Sequence, residues 1–211
     1  MALKLRRETG DRRGQARSLG NLGFIASDQG DYAASQSYFE RALRLFRQIE
    51  DRQGEAVALV NLGNDAMIQG NYGAARQYQE QALQIQREIN NRMGESIALD
   101  NLCLIAHFLG DQAGALEYAD QALEIAQAAN LRHVIGYIQN HRGHALLELG
   151  RIEEAQANYQ QSLELRRELG EHNLALESQA GLVRAALAQG AVEKARQIAA
   201  DLYQALQNNS L

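Results

Sequence analysis

The chain has 211 residues, 45% of them hydrophobic, with 21 Lys and Arg against 26 Asp and Glu for a formal net charge of −5. The apolar content suits a packed core and is too high for disorder. The mild acidity argues against nucleic acid, because phosphate binding wants a basic stripe. One cysteine, Cys103, rules out an internal disulfide and suits a reducing, cytoplasmic setting. No apolar run approaches the ~18 residues of a membrane span, and no charged n-region with an apolar h-region opens the sequence. Proline is absent, and Ala, Leu, Gln, Glu and Arg abound, so helix is expected throughout.

In chain order, Ala2-Leu3-Lys4-Leu5-Arg6-Arg7-Glu8 aligns with residues 42–48 and with residues 162–168. Residues 1–10 therefore read as the tail of a preceding helix, with more repeats or another domain ahead of them. A first helix is expected from about Arg12 to Asp28, with Ala16, Leu19, Leu22, Gly23 and Ala26 at helical spacing. Gly30 ends it as a left-handed cap, and Asp31 caps the next helix. That second helix, to about Ile49, carries Tyr32, Ser35, Phe39, Ala42, Phe46 and Ile49 on one face.

The pattern then recurs every forty residues. Gly30-Asp31-Tyr32 returns as Gly70-Asn71-Tyr72, Gly110-Asp111-Gln112, Gly150-Arg151-Ile152 and Gly190-Ala191-Val192. Asn21-Leu22-Gly23 returns as Asn61-Leu62-Gly63 and Asn101-Leu102-Cys103, then drifts to His141-Arg142-Gly143 and Gly181-Leu182-Val183. Asp11-Arg12 returns as Asp51-Arg52 and Asn91-Arg92. Repeats are thus expected at 11–50, 51–90, 91–130, 131–170 and 171–211, forming one array. Small residues at Ser35, Ala75, Ala115, Ala155 and Ala195, and at Ala42, Ala82, Ala122 and Ser162, mark close helix crossings. Gly23, Gly63 and Gly143 serve the same end, since mid-helix glycine costs ~1 kcal/mol against alanine. Paired arginines such as Arg6-Arg7, Arg12-Arg13 and Arg166-Arg167 read as solvated charge. The last helix is expected to bury Val192, Ala195, Ile198, Leu202 and Leu206, and Asn208-Asn209-Ser210 reads as a polar stop.

The Leu-x-x-Leu-Gly of the first helix (Leu19, Leu22, Gly23; Leu59, Leu62, Gly63), the Gly-Asp/Asn-Tyr turn and the small residues of the second helix resemble the tetratricopeptide repeat (TPR) family over essentially the whole chain. The common repeat is ~34 residues and ends in proline; this longer, proline-free version resembles the arrays of Pins/LGN-type adaptors, kinesin light chains and the sensors of STAND-type bacterial regulators. The resemblance implies an all-α, right-handed solenoid of antiparallel helix pairs, five repeats plus a partial N-terminal helix. It implies a non-enzymatic module without cofactor that holds a peptide or helical segment of a protein partner. The alternative is a sensor or autoinhibitory region contacting an effector domain of its own full-length protein. No nucleic acid or membrane is expected as partner, and the chain is expected to be a monomer or weak homodimer.

By the same resemblance, first helices line the concave face. Its stripe would hold Arg17, Asn21 and Phe24; Asn61, Asn64 and Ile68; Asn101, Leu104 and Phe108; and Tyr137, Asn140, His141 and His144. Asn is a poor mid-helix residue, so Asn21, Asn61 and Asn101 in one register have a job. Either their amides hold the backbone of an extended peptide, or they bond neighbouring helices and stabilise the stacking. The apolar members form a groove for a partner helix or pack under their neighbours. His141 and His144 have a zinc-compatible spacing with Glu148 one turn on, but no second cluster completes a site, so no metal is expected. Cys103 replaces a packing glycine and is expected to be buried and inert. Neither Gly-x-x-x-x-Gly-Lys-Ser/Thr nor a dinucleotide-binding glycine motif is present.

Overall fold

A computed structural model describes residue 6 and residues 10–208, apart from the side chains of 205, 206 and 208. The alignment of residues 2–8 with a helix tail, the packing of Leu206 and the polar stop at Asn209-Ser210 lie outside the described residues. Among the described residues the regular structure is all helix. The elements are α1 (Arg12–Asp28), α2 (Tyr32–Gln48), α3 (Arg52–Ile68), α4 (Tyr72–Glu88), α5 (Arg92–Phe108), α6 (Gln112–Ala128), α7 (Arg132–Glu148), α8 (Ile152–Glu168), α9 (His172–Ala188) and α10 (Val192–Asn208). The expected all-α fold of forty-residue helix pairs is observed. It divides into two compact units, 1–105 and 106–211, each built of consecutive helices packed on one another.

Both helix ends are set locally. At the end of α1, Gly30 takes φ +75°, while Gly30 N–H reaches Ser27 O and Asp31 N–H reaches Ala26 O, both at 2.9 Å. At the start of α2, Asp31 Oδ1 accepts from Ala34 N–H at 3.0 Å. Asp11, Asp51, Asn71, Asn91 and Asp111 cap their helices in the same way, whereas Leu131, Arg151 and Glu171 provide no side-chain cap. A second left-handed series, not anticipated from the sequence, closes α2, α4, α6 and α8 at Glu50, Asn90, Asn130 and Gly170, and Gly10 ahead of α1 takes the same conformation.

Crossings are close where small residues were expected. Ser35, Ala42, Ala75, Ala82, Ala115, Ala122, Ala155 and Ser162 are all fully buried. A Cβ at Gly23 would stand 2.7 Å from the Phe39 ring, one at Gly63 2.7 Å from Gln79, and one at Gly143 2.7 Å from Tyr159. The Asp/Asn-Arg marker also bridges repeats. Glu55, buried, takes Arg47 at 2.8 Å and Arg52 at 2.6 Å; Glu95 takes Arg87 at 2.9 Å and Arg92 at 2.8 Å.

Two stability predictions follow from this geometry. Glu50 holds φ +55° with an exposed side chain, a conformation that costs an L-residue about 1 kcal/mol or more. Glu50→Gly should raise the unfolding free energy by about 0.5–1 kcal/mol in a urea titration. Tyr159 is fully buried with Gly143 on one side and Gly181, whose Cβ would lie 2.5 Å away, on the other. The ring cannot retreat from either, so Gly143→Ala should cost about 1–3 kcal/mol by the same measurement.

Candidate partner-binding face

In the first unit, α1 and α3 present their exposed residues side by side with α2 behind them. Between the three helices lies a depression of about 130 Å³. Its floor is Ala16, Phe39, Ala42, Phe46 and Ala58, and its rim is Arg17, Gly20, Asn21, Phe24, Val57 and Asn61. An apolar cavity of about 150 Å³ holds a benzene ring, so the space suits one ring or one branched side chain. Gly20 keeps the mouth wide, since a Cβ there would meet nothing within 4 Å. Phe24 is 48% exposed and stands edge-on to Phe39, with centroids 5.4 Å apart at 87°. The structure therefore brings together Arg17, Asn21, Phe24 and Asn61, four residues singled out from the sequence.

The three registered asparagines differ in their bonding. Asn21 is exposed and makes no side-chain hydrogen bond to the described residues. Asn61 Nδ2 donates back to Val57 O at 2.9 Å. Asn101 Nδ2 donates to Asn64 Oδ1 at 3.3 Å, which also takes Gln79 Nε2 at 3.1 Å. Asn64 and Asn101 thus tie α3, α4 and α5 together. Ile68 is exposed at the end of α3, and Leu104 is half-buried on α5.

In the second unit, the expected residues form a chain of rings. Tyr137 lies 6.3 Å from His141, His141 6.2 Å from His144, and His144 5.8 Å from His107, which is 5.4 Å from the half-exposed Phe108. Asn140 sits instead in the interior, 3% exposed. Arg166 corrects the reading of paired arginines as solvated charge. It is fully buried, 4.1 Å over the Tyr137 ring, and donates to Glu171 at 3.0 Å. The Tyr159 hydroxyl is 2.7 Å from His144 Nδ1. Burial first, and then electrostatic interaction with His141, Arg184 and His107, pushes His144 down to about 3, and burial pushes Tyr159 up to about 12. Both groups are neutral at pH 7. No group of three or more His, Cys, Asp or Glu among the described residues is arranged to hold a metal ion, and no helix among them is long and apolar enough to cross a membrane. Cys103 is buried.

A family model described as the MalT-like TPR region matches residues 21–210. The chain belongs to the MalT-like TPR family. No curated protein matches it. Solved structures share the fold at low identity. BtubC (BKLC) from P. vanneervenii is 17% identical over 99% of this chain and 88% of its own, with a TM-score of 0.83. A Rap protein complexed with Competence and Sporulation Factor is 16% identical over 92% and 54%, at 0.81. A STAND protein with a tetratricopeptide repeat sensor, from Pyrococcus horikoshii, is 15% identical over 95% and 31%, at 0.77.

Within this MalT-like TPR array, two contributors escaped the sequence reading. Gly54 and Gly94 face Phe46 and Gln86, and a Cβ on either would stand 2.3 Å away; their shared register was the available signal. Arg166 gave none, because a buried and an exposed arginine read alike.

His144 also sets an acid limit. Its folded pKa, about 3, lies below the unfolded value near 6.5. The neutral ring's contribution is complete above about pH 6.5 and is lost as pH falls toward 3, because only the unfolded chain takes up the proton. His144→Asn, which copies Asn64 at the same place in the second repeat, should flatten the decline in urea midpoint between pH 7 and pH 4.5.

Proposed function

We propose that the chain is a protein-interaction module whose first-helix face in the first unit binds an extended segment of a protein partner. The observation that carries this is the depression between α1, α2 and α3, apolar at its floor and rimmed by Arg17, Asn21 and Asn61. A side chain of the segment fills the depression beside Phe24, and the carboxamides of Asn21 and Asn61 bond its backbone. Arg17, Asn64, Ile68, Asn101 and Leu104 extend the face along the unit; Phe108, Tyr137, Asn140, His141 and His144 belong to the second unit's share. The Rap structure solved with Competence and Sporulation Factor supports the reading, since the same fold there is complexed with a factor. Substrate chemistry finds no support in these residues, and none is assigned.

A random twelve-residue peptide library displayed on phage tests this. Enriched peptides should lose about ten-fold or more in affinity for Phe24→Ala and Asn21→Ala, about 1.4 kcal/mol or more. The melting temperature should hold for Asn21→Ala, whose side chain bonds none of the described residues. No enrichment, or selected peptides that bind both variants as tightly as the parent, would sink the proposal.

A second reading is a sensor or autoinhibitory region of a larger regulator. The MalT-like family and the STAND likeness favour it, the chain spanning 31% of that protein. A neighbouring effector domain supplied as a separate protein should then bind this face and compete with the selected peptides.

A further inference from the structure

A groove of about 550 Å³ lies in the second unit between α8, α9 and α10, and it shares no residue with the face described above. Leu163, Gln179, Leu182 and Ile198 are among the residues that line it. By repeat register their counterparts three repeats earlier are Leu43, Leu59, Leu62 and Tyr78. There the space is closed. Leu43, Leu59 and Leu62 are buried in one apolar cluster, Tyr78 packs against it, and only about 100 Å³ is left beside Leu62 and Tyr78. The sequence repeats that quartet as Leu83, Leu99, Leu102 and Tyr118.

Two members of the quartet differ where the groove is open. Ile198 lacks the ring of Tyr78, and Gln179 puts a carboxamide where Leu59 is buried. Gln179 is 9% exposed and makes no side-chain hydrogen bond to the described residues. Its counterpart one repeat earlier is bonded, since Gln139 donates to Gln161 at 3.1 Å. The place of Gln161 is taken by Asp201, which borders the groove and accepts from Gln197 at 3.0 Å instead. A buried amide without a partner in the fold gives up stability. One that borders a space in the range of ligand sites, roughly 300–1,000 Å³, has room for a partner from outside. The array itself shows what shape fits, because a tyrosine fills the same place in the second repeat.

We propose that this groove is a second binding site, which takes a tyrosine side chain of a protein partner. The ring covers Leu163, Leu182 and Ile198, as Tyr78 covers the leucines of its own cluster, and the hydroxyl bonds the Gln179 carboxamide. Ala157, Gln160 and Arg167 border the groove and are exposed, so the segment that carries the tyrosine lies along α8.

Phage selection on the whole chain, with a library of random peptides built around a fixed central tyrosine, tests this. Gln179→Leu combined with Ile198→Tyr rebuilds the quartet of the second repeat and closes the groove. This double variant should melt no lower than the parent, and the enriched peptides should bind it about ten-fold or more weakly. Gln179→Leu alone keeps a seat for the ring and removes the partner of the hydroxyl. The parent should therefore prefer each peptide over its phenylalanine version by about five-fold or more, and Gln179→Leu should bind both versions alike. Phe24→Ala and Asn21→Ala should leave these peptides bound as tightly as the parent does, so failure at this groove and failure at the first-helix face are told apart. No peptide enriched on the parent over the double variant would overturn the proposal, as would a parent that binds tyrosine and phenylalanine versions equally. A second copy of this chain as the occupant would overturn it too, and would show as a sedimentation mass that climbs above 23.4 kDa with concentration in the parent but not in the double variant.

Discussion

Each helix from α1 to α9 stops where a residue at φ between 52° and 82° turns the backbone N–H groups back onto the last carbonyls of the helix just completed. This left-handed residue, placed every twenty positions, fixes α1 to α9 at seventeen residues each. With lengths equal, a side chain at a given place in one repeat meets the same place in the next, and contacts recur at a forty-residue period. Glycine meets the requirement without strain at Gly30, Gly70, Gly110, Gly150 and Gly190. Asn90 and Asn130 meet it at modest cost because a short amide tolerates this region. Glu50 has no such relief, and the packing of the pairs on either side holds it there.

On this frame the crossings work by exchange of size. A ring or amide on one helix lies against a glycine on the next: Phe39 against Gly23, Phe46 against Gly54, Tyr159 against both Gly143 and Gly181. In the second repeat the aromatic pair Phe39 and Phe46 becomes Gln79 and Gln86, each with an Oε1 that is buried and unbonded among the described residues. An unsatisfied amide oxygen costs about 1–3 kcal/mol, so packing alone does not explain the exchange. Gln79 Nε2 instead holds Val60 O and Asn64 Oδ1, and Asn64 in turn holds Asn101. Core stability is given up to fix carboxamides along the exposed edge of the same helices, next to the face proposed to bind.

Regular features were legible in the sequence because they are periodic. The glycine turns, the caps at Asp31 and Asn71 and the small residues at crossings repeat in register, and each has a local physical cause. The clustering of Arg17, Asn21, Phe24 and Asn61 was legible for the same reason, since one stripe recurs on successive first helices. What stayed hidden depends on partners outside the repeat. Asn21, Asn61 and Asn101 share a register, yet their bonding differs because Val57 lies one turn behind one and Asn64 beside another. Asn140 continues the stripe in sequence but is buried. Arg166 occupies the place of Phe46 and Gln86, and nothing in its own identity says that Tyr137 and Glu171 enclose it.

One junction also encodes order. Asp65 is a buried carboxylate whose two oxygens are met by Ser27 and Ser35, and those hydroxyls belong to the first repeat alone. Set on Met67, Tyr72 and Ala75, the residues packed around Ile105 one repeat on, Asp65 would stay buried and lose both donors, at a cost of several kcal/mol. Ile105 set on Ser27 and Ser35 would strip two hydroxyls of their acceptor. Apolar seats accept one another's knobs, as Ile105 and Ala185 do, and would let helix pairs stack in more than one sequence. The polar seat admits one neighbour, so the second pair follows the first and no other.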